Sequence, residues 1–170
     1  MDLKSYIRNV ADFPKPGINF KDITTLLKDK MAFDAAIDAM LAPFAEQPVD
    51  YYVGIESRGF IFAAAMAIKN NAGFVPVRKP GKLPARTLKE DYALEYGTDT
   101  IEIHADAIAP GASVVLVDDL LATGGTAKAA LNLLDQLDAN ILGAVFLIEL
   151  DFLKGIQKLD GYDIHSILHF

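Results

Sequence analysis

The sequence predicts an α/β fold, a mostly parallel central sheet flanked by helices, and three observations carry that prediction. Short apolar runs rich in β-branched residues, such as Ser113 to Val117 and Ile141 to Leu150, have the length and composition of buried strands. Stretches with helical spacing alternate with them, as in Phe60 to Ile68 and Thr126 to Leu137. Strands that alternate with helices pair in parallel and bury both faces under the crossovers. With 170 residues and 52% hydrophobic side chains, the chain supports one complete core and is too short for two ordinary ones, so residues 1–170 read as a single domain.

Each element has a local signal. Leu3, Ile7 and Val10 recur at helical spacing, and Phe13-Pro14-Lys15-Pro16-Gly17 then starts an irregular segment. Phe33, Ile37, Met40/Leu41 and Phe44 restore the helical period behind Asp29, a suitable N-cap. Asp50 to Ile55 reads as a buried strand, Phe60 to Ile68 as a helix and Gly73 to Val77 as the next strand. Lys79 to Glu90 holds two prolines, a glycine and little apolar periodicity, which predicts a long mobile loop. Asp91 to Tyr96 and Thr100 to His104 read as short strands joined at Gly97-Thr98. Ser113 to Val117, the helix Thr126 to Leu137, Ile141 to Leu150 and Ile164 to Leu168 complete the alternation.

Composition narrows the function. A net charge of −7 opposes coating of nucleic acid or of an anionic membrane, so an anionic ligand needs a local basic patch. No apolar stretch approaches the roughly 20 residues of a membrane span, and Met1-Asp2-Leu3-Lys4 lacks a signal-peptide pattern, which predicts a soluble cytoplasmic protein. The chain has no cysteine and three scattered histidines, which excludes a disulfide scaffold and thiolate zinc sites and argues against a His-rich metal site.

The strongest motif is Val114-Val115-Leu116-Val117-Asp118-Asp119-Leu120-Leu121-Ala122-Thr123-Gly124-Gly125-Thr126. An apolar strand leads to two carboxylates and then to a glycine-containing loop that opens a helix. Glycines admit close backbone approach, the helix N-terminus favours an anion, and Thr123 and Thr126 add hydroxyl donors. Carboxylates beside a phosphate cradle suit sugar hydroxyls, as at the ribose of dinucleotide folds. A bare Thr-Gly-Gly-Thr is more often an ordinary strand-to-helix turn; the paired aspartates reverse that balance. The pattern is neither a Walker loop nor Gly-x-Gly-x-x-Gly.

This stretch resembles the signature of the type I phosphoribosyltransferases, and Asp-Asp-Leu-Leu-Ala-Thr-Gly-Gly-Thr is similar to the form found in those that use adenine. Four further segments match in order. Phe13 to Ile23 is similar to the N-terminal hood, Gly54-Ile55-Glu56-Ser57-Arg58-Gly59-Phe60 to the pyrophosphate loop, Arg78 to Lys82 to the flexible loop, and Asp91 to Gly97 to the segment with the catalytic glutamate. The resemblance implies a hood over 1–30 and a flexible lid loop over 79–96. It implies transfer of ribose 5-phosphate from 5-phosphoribosyl 1-diphosphate (PRPP) to adenine, giving AMP and pyrophosphate in purine salvage. Transfer to another purine base, or a PRPP-binding regulator, are the alternatives; the regulator would need a DNA-binding extension, for which residues 1–20 are too short.

The same resemblance implies the site. Ala122, Thr123, Gly124, Gly125 and Thr126 hold the 5-phosphate, and Asp118 and Asp119 face the ribose hydroxyls. Ser57 and Arg58 lie at the diphosphate, with Arg78, Lys79 and Lys82 reaching it from the lid. Residues 78–89 hold five basic side chains and no acidic one, a run that is ordinarily a solvated face and is also what a lid over a polyanion needs. Arg86 is given no role. Phe20, which in isolation reads as core, stacks on adenine, the backbone of Asn19 and Lys21 reads the base edge, and Leu120 and Leu150 line its other side. Glu95 manages the purine proton. Mg2+ arrives carried by PRPP with no direct protein ligand, and the family habit implies a homodimer.

Overall fold

The computed structural model describes residues 1–94 and 96–170, and its contacts divide the chain into two compact units, Met1–Ala39 and Met40–Phe170. In the first unit a 3₁₀ turn, Leu3–Tyr6, precedes an antiparallel hairpin of β1 (Arg8–Ala11) and β2 (Asn19–Asp22). The helix expected through Leu3, Ile7 and Val10 is therefore one turn followed by a strand. Pairing explains the difference: Val10 sits opposite Phe20 in register, Arg8 donates through Nε to Asp22 Oδ2 at 2.9 Å, and Lys21 Nζ donates to Asn9 Oδ1 at 2.6 Å. A single turn of helix has few bonds with which to resist such a ladder. The short α1 (Thr24–Leu27) follows, and α2 (Lys30–Leu41) starts where expected, with Asp29 Oδ1 accepting from the amides of Met31 and Ala32, both at 3.0 Å.

The second unit is built on five parallel strands in the order β4-β3-β7-β8-β9: β3 (Tyr51–Ile55), β4 (Gly73–Val77), β7 (Ser113–Leu121), β8 (Asn140–Glu149) and β9 (Ile164–His169). Helix α3 (Arg58–Lys69) links β3 to β4, and α4 (Gly125–Gln136) links β7 to β8 in the opposite direction along the sheet. Because such crossovers are right-handed, α3 and α4 cover opposite faces. Val53, Leu116 and Phe146 bury one face with Leu131 and Leu134 of α4. Phe62, Ala63 and Met66 of α3 are buried on the other side, where Gly54 leaves room: a Cβ there would stand 2.9 Å from that of Ala63. No helix of the described residues is long and apolar enough to cross a membrane.

Two boundaries differ from the sequence reading, and both concern the site. Strand β7 runs on through Asp118 and Asp119 to Leu121, because β8 continues to pair with it at Leu120↔Ile148 and Leu121↔Glu149 after β3 has ended. The two carboxylates thus lie inside the strand's last rungs, bonded on one side only. The segment expected to be a loop to Glu90 becomes strand at Thr87: β5 (Thr87–Ala93) pairs antiparallel with β6 (Thr98–His104) over seven positions. Charge hid the alternation there. Lys89 reaches Glu102 across the ladder at 3.0 Å, while Glu90 accepts from Asn132 and Gln136 of α4 at 2.9 and 3.0 Å.

Candidate active site

The strand order reverses between β3 and β7, and open parallel sheets bind ligands outside the strand C-termini at such a point. A cavity of about 410 Å³ opens there, and its lining includes Ser57, Arg58, Lys79, Asp118, Asp119, Leu120, Ala122 and Thr126. Beside it a smaller cavity of about 80 Å³ is walled by the turn from Leu120 to Ala127. The turn is a phosphate cradle in form: Gly124 takes φ 80° as the N-cap of α4, so the first amides of the helix converge on the cavity. A second glycine holds the turn from behind. A Cβ on Gly155 would lie 2.1 Å from the Ala122 carbonyl oxygen, and one on Gly124 would lie 2.4 Å from that of Gly155.

At the end of β7 the two carboxylates are electrostatically strained. Burial, and then the charge of Asp119, push the Asp118 carboxyl well above its ordinary value, with Arg58 opposing. Burial raises Asp119 too, again against the pull of Arg58, whose Nε donates to Asp119 Oδ2 at 3.0 Å. The Asp119 amide donates to Asp118 Oδ1 at 2.9 Å. Gly59 lets the start of α3 come this close, since a Cβ there would meet Asp118 Oδ1 at 2.8 Å. Such a pair gains when sugar hydroxyls donate to it.

The opposite wall carries cations, each held by a carboxylate. Arg78 Nε and the Lys79 amide both donate to Glu56 Oε2, at 3.1 and 2.9 Å. Burial alone would raise Glu56, but these bonds and the field of Arg78 and Lys82 hold it below its ordinary value. Lys79 Nζ is bonded to Tyr92 Oη at 3.0 Å and to Asp99, and the Tyr92 hydroxyl donates to Asp99 Oδ2 at 3.0 Å. The Lys79 bond holds the Asp99 carboxyl low, while Asp99 and Tyr92 outweigh burial and hold the Lys79 ammonium high. The Glu56 and Asp99 carboxylates and the Lys79 ammonium are thus all charged at neutral pH.

The structure thus brings Ser57, Arg58, Lys79, Asp118, Asp119, Leu120, Ala122 and Thr126 to one cavity, with Thr123, Gly124 and Gly125 around the phosphate turn. Arg78 joins through Glu56, and Lys82 is exposed within the field of Glu56. Leu150 follows β8, its amide donating to Leu121 O at 3.0 Å. Asn19, Phe20 and Lys21 lie on β2 of the first unit, where Phe20 meets Phe13 edge to face at 5.2 Å between centroids. Glu95 lies outside the described residues. Sequence reasoning missed the roles of Glu56, Tyr92, Asp99 and Gly155. Asp99 fell outside the strands read from the sequence, and its place opposite Tyr92 appears only in the hairpin register.

A family profile, the phosphoribosyl transferase domain, matches residues 24–165. The chain is similar to the adenine phosphoribosyltransferase of Acidobacterium capsulatum, at 58% identity over 99% of this chain and 93% of that one. It is similar to that of Halothermothrix orenii at 56% identity over 99% of both. Among solved structures, adenine phosphoribosyltransferase from Thermoanaerobacter pseudethanolicus superposes with a TM-score of 0.96, at 51% identity over 99% and 98% of the two chains. The Saccharomyces cerevisiae enzyme, solved with an imino-altritol bisphosphate and adenine, superposes at 0.93 with 44% identity over 98% and 97%. With the strand order, the phosphate turn and the paired aspartates already in place, these matches settle the family: this chain belongs to the adenine phosphoribosyltransferases.

Proposed function

We propose that the chain joins adenine to the ribose of PRPP, releasing pyrophosphate and forming AMP, as a homodimer working in the cytoplasm. The observation that carries this reading is two adjoining cavities with three complementary surfaces: a glycine turn at a helix N-terminus, a carboxylate pair and a wall of cations. The amides from Ala122 to Thr126 seat the 5-phosphate, and Asp118 and Asp119 accept from the ribose hydroxyls. Arg58, Arg78, Lys79 and Lys82 take up the charge of the departing diphosphate as adenine N9 attacks C1 from the opposite face. Mg2+ enters as part of the substrate, chelated by the diphosphate, and supplies further charge neutralisation. The two carboxylates at the end of β7 are already engaged, Asp118 accepting from the Asp119 amide and Asp119 pairing with Arg58.

On the base, Phe20 is assigned stacking, the backbone of Asn19 and Lys21 the reading of the edge, Leu120 and Leu150 the opposite wall, and Glu95 the purine proton. An acceptor for the adenine amino group and a donor for its ring nitrogen would leave groups unmatched against hypoxanthine or guanine. Exposed Ile61 and Ile68 on α3 are apolar surface of the sort a second subunit covers. The decisive assay mixes protein, PRPP and Mg2+ with adenine, hypoxanthine or guanine and follows nucleotide and pyrophosphate by chromatography. AMP formation from adenine alone is expected; equal turnover of all three bases would overturn the base assignment. Light scattering should give twice the chain mass.

A further inference from the structure

At the C-terminal ends of β8 and β9, outside the cavity lining, lies a cluster to which the transfer reaction assigns no role. Glu149 and His169 are register partners on the last rung of that ladder, and Asp151 follows two residues after Glu149. The backbone around them is tied: the Phe170 amide donates to Glu149 O and the Asp151 amide to Phe170 O, both at 3.0 Å. His169 Nδ1 stands 2.8 Å from Asp151 Oδ1 and 4.0 Å from Glu149 Oε2, and one ligand atom from each residue falls within 4.8 Å of the others. We propose that Glu149, Asp151 and His169 form a binding site for a divalent transition-metal ion of the Zn2+ class.

Two independent observations meet here. The first is the donor set itself, one imidazole nitrogen and two carboxylate oxygens. Imidazole nitrogen and carboxylate oxygen are both zinc ligands, and three of them leave a fourth position to water. A tetrahedral ion with bonds of 2.0–2.2 Å needs its ligand atoms about 3.4 Å apart, which lies between the two separations to His169 Nδ1. Asp151 and His169 have side chains 56% and 53% exposed, so both have room to adjust toward that separation. The second is Glu149, only 4% exposed, whose Oε2 is buried, makes no hydrogen bond and points at the His169 ring. A buried carboxylate oxygen without a donor is costly, and a bound cation offsets that cost. Mg2+ prefers oxygen ligands at octahedral geometry and is the wrong ion for a site with imidazole.

The site is separate from the diphosphate chemistry but mechanically connected to it. Glu149 and Asp151 flank Leu150, and Glu149 is the register partner of Leu121, where β7 passes into the phosphate turn. A bound ion would pin the ends of β8 and β9 together beside that turn. The effect is on stability rather than on the reaction, and it does not depend on the assigned substrate.

Protein stripped with a chelator is titrated with Zn2+ by calorimetry, and with Co2+ while its visible d–d bands are followed. Mg2+ serves as a control. One equivalent of Zn2+ should bind, tetrahedral Co2+ bands should appear, and Tm should rise by about 5–10 °C at saturating Zn2+, with no such response to Mg2+. His169→Gln, on an exposed side chain, should weaken Zn2+ at least tenfold and abolish the Co2+ bands while circular dichroism stays unchanged. Glu149→Gln should do the same. Absence of stoichiometric Zn2+ binding would mean that a protonated His169 simply bridges the two carboxylates, and would overturn the proposal. So would binding that survives His169→Gln and disappears with His165→Gln.

Discussion

Arg58 meets Asp119 at the end of β7 with 6% of the Asp119 side chain exposed, whereas Lys79 meets Asp99 on the hairpin with the two side chains 40% and 34% exposed. Both are cation–aspartate pairs, and their settings differ. In the first pair the Asp119 charge cannot be left alone cheaply, so removing the partly exposed Arg58 strands it. In the exposed pair water and salt screen both ions, and parting them costs little. The first arrangement suits a fixed wall that presents ribose acceptors in one geometry. The second suits cations that must let go of their carboxylates to reach an incoming diphosphate.

Breaking the fixed wall should have the largest consequences. Arg58→Ala removes a diphosphate cation and leaves Asp119 buried without its partner. We expect kcat/KM to fall by about 10³-fold and the unfolding free energy by about 2 kcal/mol, less than for a fully buried pair because Arg58 is itself partly exposed. Steady-state kinetics and urea unfolding check the two effects separately. A variant of normal stability would show that Asp119 does not rely on Arg58, and the contrast with the hairpin would fail. Next in size is Glu95. Glu95→Gln keeps the shape but cannot take a proton, and single-turnover chemistry should slow by about 10²-fold with PRPP affinity unchanged. Normal single-turnover rates across pH would remove the carboxylate from proton transfer.

The fixed wall was also the more legible in the sequence. An apolar β-branched run, two aspartates and a glycine turn are local signals, and they identified Asp118 to Thr126 before any geometry. What they did not show is that the strand continues through the carboxylates, because that depends on β8 outlasting β3 as a partner. The support from Gly155 is non-local in the same way, arising from a backbone contact across more than thirty residues of chain. On the hairpin, the consecutive charges at Lys89, Glu90 and Asp91 masked the alternation of a strand whose facing partners are Glu102, Ile101 and Thr100. In the first unit, apolar spacing at Leu3 and Ile7 signalled burial correctly, yet the ladder with β2 decided the conformation.

The two walls should respond to pH with opposite signs. Asp118 binds its proton more tightly in the folded state, so its contribution to stability is complete below the ordinary aspartate value and is lost as pH rises through the raised one. Glu56 and Asp99, held low, contribute above their ordinary values and lose that contribution as pH falls through the lowered ones. Asp118→Asn keeps an acceptor for the Asp119 amide and removes the disfavoured charge. It should therefore be more stable than the parent at pH 8 by on the order of 1 kcal/mol, with the difference shrinking towards pH 3. Urea midpoints across that range measure it, and a difference that grows in acid would reverse the assignment. Turnover of the same variant should nevertheless fall, since a ribose acceptor is weakened.

The smallest expected effect tests the exposed pair directly. Asp99→Asn removes the carboxylate that holds Lys79 while leaving Tyr92 to bond its ammonium at 3.0 Å. Because both ions are more than a third exposed, stability should stay within about 0.5 kcal/mol of the parent. If Lys79 must leave Asp99 to meet the diphosphate, the variant is spared that separation. KM for PRPP should then drop by about two- to threefold with kcat unchanged, the range that an exposed ion pair supports. The gain should fade as salt is raised, because screening already weakens the competing carboxylate in the parent. Tyr92→Phe, which removes a hydroxyl and no charge, should show little of this salt dependence. A tenfold rise in KM for Asp99→Asn would mean the opposite: that Asp99 aims Lys79 as firmly as the β7 wall holds Arg58, and that the hairpin is a second fixed wall.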